Sequence, residues 1–284
     1  MARNSKKVSK ADVAALETET NEAVAMMAME LTTEVVADVV AEIEAIETVT
    51  EEDVVSVVEA LEASEAVSEP EACEGEPTDT VASFVDVLAS ISQEERIAAT
   101  VAMANAVDER AAFEAAGGNE NIQKSLKAAR IAFTMPDAGA VLLACGVDEA
   151  FVNRSVHDGK RYNVYALGKL ADAVNGLAKG AVTNRINNAI MRSLFAARKA
   201  NIPFTGEMAK AAASDKIRLA DKKIEAILVR HTVSTVTAAT QASSTMQALE
   251  TLGLVSRSGH KNPVYTLTNS PAVARLEQVL SQAA

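Results

Sequence analysis

The chain has 284 residues, with three tyrosines, six phenylalanines and no tryptophan, so a core must be built from aliphatic side chains. No apolar run approaches the ~20 residues that a membrane helix needs, and the basic N-terminus lacks the apolar segment of a secretory signal. Two distant cysteines and three scattered histidines (His157, His231 and His260) predict neither a disulfide framework nor a metal site. We therefore expect no cofactor, no membrane contact and a reducing, cytoplasmic setting.

The net charge of −12 hides a division between the two halves of the chain. Residues 1–150 carry 31 Asp and Glu against 9 Lys and Arg, whereas residues 151–284 carry 8 against 18. Such an asymmetry indicates an acidic part joined to a part that binds a polyanion.

Residues 1–80 are predicted to form an acidic, low-complexity arm and linker that is partly disordered. Residues 11–95 contain 24 acids and no Lys or Arg. Two similar blocks, 33–47 and 50–65, have valines and isoleucines at helical spacing, which predicts two short amphipathic helices that are marginal alone. Residues 68–80 contain two prolines and a glycine and form the linker. The arm is either a solvated tail or a segment that binds a partner or inhibits the protein itself.

We expect a mainly α fold beyond the arm. Residues 81–118 are predicted to be a helical connector that ends at Gly117-Gly118, and residues 119–200 a basic helical domain. Within the latter, residues 138–156 contain a Gly-Val-Asp turn at 146–148, in which Asp148 can cap a second helix. This turn fits a helix-turn-helix, but it also joins ordinary packed helices. Residues 162–165 are predicted to form a strand.

The basic helical domain supplies candidate phosphate contacts. Between Asp172 and Glu207 there is no acid, and the apolar face of residues 182–201 carries Ile186, Ile190, Leu194 and Phe195. The charged residues here form either a solvated face or a surface that contacts nucleic-acid phosphates. The candidates are Arg154, Lys160, Arg161, Arg185 and Arg192.

The C-terminal domain, 201–284, begins after the joint Asn201-Ile202-Pro203. We predict a first helix over residues 215–230, a short helix at 235–240, a turn through 241–242, and a second helix over 243–255, capped by Ser243 or Ser244. Spacing places Met246, Leu249 and Leu252 in the core, and Gly253 suits a left-handed helix end. Two alternating runs around the turn 258–262 predict a β-hairpin.

The ordered segments STMQALETLGLVSR and RSGHKNPVYTLT resemble the winged helix-turn-helix family over about residues 205–270. The resemblance implies that the second helix enters the DNA major groove and that the hairpin, or wing, contacts the backbone. It assigns Gln241, Ser243, Ser244, Thr245 and Gln247 to bases or phosphates, and Arg257, His260 and Lys261 to the wing. The presumed recognition helix has no Lys or Arg, and winged helices also serve as protein-docking modules.

No Walker loop, dinucleotide fingerprint or nucleophile elbow is present, so we do not expect an enzyme. The sequence predicts a DNA-binding protein in gene regulation or genome organisation. Double-stranded DNA is its expected partner, with a protein or intramolecular contact for the acidic arm, and a homo-oligomer is compatible with the sequence. The alternative is a non-enzymatic structural or assembly protein in which the arm interacts and the winged helix docks a protein.

Overall fold

The computed structural model describes residues 83–135, 137–155, 161–259 and 262–282. This part of the chain is mainly helical and has one small antiparallel sheet, as predicted. The acidic arm lies outside the described residues. None of the described helices combines the length and hydropathy that crossing a membrane requires.

Six helices and a short 3₁₀ helix, η1, precede the sheet. They are α1 (Phe84–Ser90), α2 (Gln93–Ala115), α3 (Glu120–Phe133), α4 (Ala138–Ala144), η1 (Glu149–Asn153), α5 (Val164–Lys179) and α6 (Arg185–Lys199). The remaining elements are β1 (Phe204–Thr205), α7 (Gly206–Ala213), α8 (Lys222–Ile227), α9 (Thr235–Thr251), β2 (Val255–Ser258), β3 (Val264–Leu267) and α10 (Pro271–Gln282).

The predicted connector consists of two capped helices. Ser83 and Ser92 each accept a hydrogen bond from the backbone three residues later, and Asp86 and Glu95 bond back to the cap residues. These capping boxes satisfy amide groups that a helix start otherwise leaves without partners. They explain why α1 ends at Ser90 and a separate helix starts at Gln93.

Helix α5 is the centre of the packing. Ten of its sixteen residues are buried, and helices α3, α4, α6, α9 and α10 all pack against it. Because the buried residues cover most of its surface, this helix is stable only when neighbouring helices cover it. The cluster of buried residues is continuous from Phe84 to Leu280, so the packing crosses both predicted boundaries, 118/119 and 200/201. Those domain boundaries stay a prediction from the sequence.

Several predicted elements are wrong in type or extent. Residues 162–165 are not a strand, because Asn163 caps α5 and its side chain accepts a hydrogen bond from the Tyr165 amide. Asp148 does cap the following turn, but that turn is the five-residue η1. The helix predicted over residues 215–230 is confined to α8, which starts after the cap residue Asp221 and ends at Ile227.

The C-terminal elements surround a three-stranded antiparallel sheet of order β1-β3-β2. Phe204 pairs with Tyr265, and Arg257 pairs with the same Tyr265 from the other side. The predicted hairpin is therefore confirmed. Gly253, at φ 64°, occupies the left-handed conformation that its position after α9 requires. Met246, Leu249 and Leu252 are buried, as their spacing predicts.

Candidate nucleic-acid interface

Helix α9 is longer than predicted and starts eight residues earlier. Ser234, not Ser243 or Ser244, caps it by accepting a hydrogen bond from the Thr237 amide. No glycine or proline interrupts residues 235–251, so the helix continues through the region predicted as a turn. The N-terminal residues Ser234, Thr235 and Val236 are exposed.

Two of the five predicted contact residues on α9 are unavailable to DNA. Ser244 and Thr245 are 1% and 0% exposed. The Ser244 hydroxyl accepts a hydrogen bond of 3.2 Å from the side-chain amide of Asn163, and the Thr245 hydroxyl donates one of 2.8 Å to the side-chain oxygen of Asn187. Their assignment to bases or phosphates is wrong, because they face α5 and α6 in the core.

Asn187 is the centre of the network that holds Thr245. This asparagine is fully buried, and its amide nitrogen donates to the Lys169 carbonyl and, at 2.8 Å, to Asp172. The other carboxylate oxygen of Asp172 accepts from the Thr183 hydroxyl and from the backbone amides of Thr183 and Asn184. Buried polar groups need such partners, and here they join α5, α6 and α9.

The other three predicted residues on α9 are half-buried. Ser243 and Gln247 share one face with exposed Val236, since they follow it by seven and eleven residues. Gln241 lies off this face, and its side-chain oxygen is buried without a hydrogen-bond partner. Ser243 and Gln247 are therefore the predicted α9 contacts that remain in position to meet a ligand.

Residues 214–234 join α7 to α9 and form what we call the basic loop. Two backbone hydrogen bonds close its base: the Asp215 amide donates to the His231 carbonyl, and the His231 amide donates to the Ala212 carbonyl. The Ser214 hydroxyl donates to the Val233 carbonyl at 2.6 Å. The loop carries five Lys and Arg against three Asp and Glu: Lys216, Arg218, Lys222, Lys223 and Arg230 against Asp215, Asp221 and Glu225.

Glu225 is a buried acid that binds several cations of the basic loop. One carboxylate oxygen accepts hydrogen bonds of 2.7 Å from Arg218 and from Arg230, and the other accepts one of 2.9 Å from Lys222. The bond from Arg218 and, after it, the bond from Lys222 lower the pKa of Glu225 to about 2. One carboxylate thus faces three cations, which leaves a local charge of +2 around it.

The hairpin, which follows α9 in the sequence, adds a further cation. Burial raises the pKa values of Glu250 and Tyr265, and the charge of Arg257, which is exposed on β2, offsets part of this rise. Gly259, at φ 77°, starts the turn. The predicted wing residues His260 and Lys261 lie outside the described residues, as does Lys160 of the middle segment.

The arginines that were predicted as phosphate contacts in the basic helical domain have different surroundings. Arg154 is exposed and lies 3.6 Å from Asp148, whereas the Arg161 guanidinium lies 3.7 Å from the centre of the Phe113 ring. Arg185 is exposed at the start of α6, and Arg192 is half-buried two turns later on the same face. Arg185 also lines a cavity of about 180 Å³ with Thr183, Asn188 and His231.

The structure therefore brings some predicted residues together and separates others. Arg185 and Arg192 share a face of α6, which packs against α8 of the basic loop, and Arg257 follows α9. Lys216 and Lys223 are exposed in the basic loop but are absent from the predicted site, because that prediction relied on the second helix and the wing. The signal for them was the density of cations between residues 216 and 230.

No protein-family model, no curated protein and no solved structure matches this chain.

Proposed function

We propose that this protein binds double-stranded DNA through its C-terminal part and acts in gene regulation or genome organisation. The observation that carries the proposal is the order of elements between Phe204 and Leu267: strand, three helices and a hairpin whose second strand pairs with the first strand. The resemblance to winged helices led us to expect the last helix and the hairpin of this order, but not β1 or α7, and in that family the last helix enters the major groove.

The charge distribution supports the same proposal. The exposed face of α9 has no cation, so its side chains supply little of the affinity for phosphate. The basic loop directly before α9 and Arg257 directly after it provide that charge. Contacts to phosphate dominate affinity and make it depend on salt, whereas side chains in the groove determine sequence preference.

The test is a titration of the full-length protein against a random-sequence duplex of about two helical turns, ~20 bp, at several salt concentrations. The proposal expects the logarithm of affinity to fall with the logarithm of salt by about 0.9 per phosphate contacted. The double variant Lys216→Gln/Lys223→Gln should flatten this slope by ~1–2, because neither ammonium has an ion pair among the described residues.

A matched control is Lys124→Gln/Lys127→Gln, which removes two exposed lysines from α3. This control should retain the wild-type slope. An affinity that does not change with salt, or equal effects of the two double variants, would remove the basis of the proposal.

Protein docking is the second candidate, and one observation favours it. Val236 is 52% exposed on a face of α9 that bears no Lys or Arg. Such a face suits an apolar partner as well as a groove in DNA. Val236→Lys distinguishes the two: it should strengthen binding to DNA and weaken binding to a protein at this face.

A further inference from the structure

An open apolar groove of about 430 Å³ lies between α2 and α4, in the acidic part of the described chain. Ala98, Ala99 and Ala102 form its α2 side, and Leu142 and Leu143 form its α4 side. The two helices come very close at Gly139, where an added Cβ would lie 2.3 Å from the Arg96 carbonyl oxygen. Beside this close approach, the small alanine side chains leave the groove unfilled.

The groove is flanked by aliphatic side chains that reach into solvent. Leu143 is 41% exposed, and Val101 is 52% exposed one turn from Ala98. Ile97, 56% exposed, lies farther round α2, away from the groove. Single exposed hydrophobic residues need no explanation, but an apolar groove with an exposed aliphatic side chain on each side, Leu143 and Val101, is typical of an interaction surface.

The charged side chains that line the groove are acidic, and exposed Arg154 lies 3.6 Å from one of them, Asp148. Glu95, Asp148 and Glu149 line it, and no Lys or Arg does. The Glu95 carboxylate accepts hydrogen bonds from the Ser92 hydroxyl and amide, which hold its pKa below the usual value. Asp148 accepts from the Ala150 amide. The rim is therefore negative, and it attracts cationic groups.

We infer that this groove binds an amphipathic helix of a partner protein, with aliphatic residues on one face and Lys or Arg beside them. Helices bind in this way by inserting apolar side chains at i, i+3 or i+4 into a groove. The negative rim selects the sign of the flanking charges. This surface is separate from the basic loop and the hairpin, so it does not depend on DNA binding.

The negative charge of the rim makes two other occupants of the groove unfavourable. Residues 11–82 of this chain contain no Lys or Arg, so their carboxylates would meet those of Glu95 and Glu149. A second copy joined through the same face would bring two negative rims together, because a twofold contact uses the same patch on both subunits. A basic helix has neither disadvantage.

The experiment measures binding of a fluorescent synthetic helix of Leu and Lys to the full-length protein at physiological ionic strength. There, charges more than ~8 Å apart are largely screened. A scrambled peptide of the same composition serves as the reference for attraction to the acidic arm. The amphipathic peptide should bind about tenfold more tightly than the scrambled one, and methyl signals of Leu142 and Val147 should shift on binding.

Val101→Ser/Leu143→Ser should remove most of this difference. The control Phe113→Ser/Val229→Ser, which removes two exposed apolar side chains away from the groove, should leave it unchanged. Glu149→Gln should weaken binding by about two- to threefold, because an exposed pair is worth little. Chemical shifts locate the bound peptide even if a variant folds poorly.

Three results would overturn the inference. The first is equal binding of the amphipathic and scrambled peptides. The second is tighter binding of a Leu and Glu helix than of the Leu and Lys helix, which would favour an acidic occupant such as residues 50–65. The third is self-association in sedimentation that Val101→Ser/Leu143→Ser abolishes, which would assign the groove to a second copy.

Discussion

The N-terminal and C-terminal regions of the described chain carry net charges of opposite sign, yet they share one hydrophobic core. Residues 83–155 contain ten Asp and Glu against six Lys and Arg, whereas residues 161–282 contain seven against sixteen. In the first region the arginines are neutralised: Arg96 pairs with Asp137, Arg110 with Glu114 and Arg130 with Asp108. In the second, three cations share Glu225. Opposite surfaces thus coexist because apolar contacts, not charge, join the regions.

The largest effects should come from cavities in this shared core. Leu249 in α9 and Leu126 in α3 are each 0% exposed. Replacement of either by alanine should lower the free energy of unfolding by ~2–5 kcal/mol. If the core is shared, each variant shows a single cooperative transition in calorimetry at a lower temperature. Two transitions, of which only one moves in each variant, would mean that the acidic and basic regions fold independently.

The close approach of α2 and α4 gives the next prediction. Gly139→Ala places a Cβ 2.3 Å from the Arg96 carbonyl oxygen and 2.5 Å from the Thr100 hydroxyl. We expect a loss of ~1–3 kcal/mol in chemical denaturation, because the backbone must move. The matched change in the basic region, Gly168→Ala in α5, meets nothing within 4 Å. It should be neutral or stabilise by up to ~1 kcal/mol. Equal destabilisation by both would contradict the packing at Gly139.

The pH dependence should distinguish Glu225 from other acids. Its pKa is lowered from 4.5 to about 2 in the folded protein, so its contribution to stability is present above pH 4.5 and is lost as the pH falls toward 2. Glu225→Gln should therefore be less stable than the wild type near neutral pH and equally stable near pH 2. The control is Glu207→Gln, which changes an exposed carboxylate that forms no ion pair with any described residue. A stability difference that does not change with pH would exclude the carboxylate charge as the cause.

The smallest effect should be that of a single hairpin cation on DNA binding. Arg257→Ala should weaken binding to all duplex sequences alike and reduce the salt slope by ~1. Lys124→Ala in the acidic region should leave both unchanged. Gel-shift or anisotropy titrations at several salt concentrations provide the measurement. A wild-type slope for Arg257→Ala would mean that the hairpin does not contact phosphate.

Sequence periodicity predicted positions in the core better than it predicted the site. Met246, Leu249 and Leu252 are buried where a helical repeat places them. Periodicity could not show that Ser244 and Thr245 are buried too, because their partners Asn163 and Asn187 are far away in the sequence. The predicted turn before Ser243 was wrong for a local reason, since the cap at Ser234 carries one helix through to Thr251.

The groove could not be predicted from the sequence because it depends on how two helices cross. Ala98, Ala99 and Ala102 are ordinary helix-forming residues, and only the position of α4 makes them one side of a groove. The hydrophobic periodicity of α2 predicted the helix itself. Exposed Val101, one turn from Ala98, looks in sequence like any other apolar position of an amphipathic helix.

If the basic loop binds phosphate as proposed, its internal carboxylate would affect how quickly and at what entropic cost a ligand binds. Arg230 donates to Glu225 and also to the carbonyls of Ala211, Ser214 and Ile217. Ordering a backbone costs ~1–2 kcal/mol per residue, and here this cost is met when the protein folds. A ligand that reaches Lys216 or Lys223 meets a surface with its shape fixed in advance. Association then requires no prior ordering of a segment, and its rate depends chiefly on diffusion of the ligand to the surface.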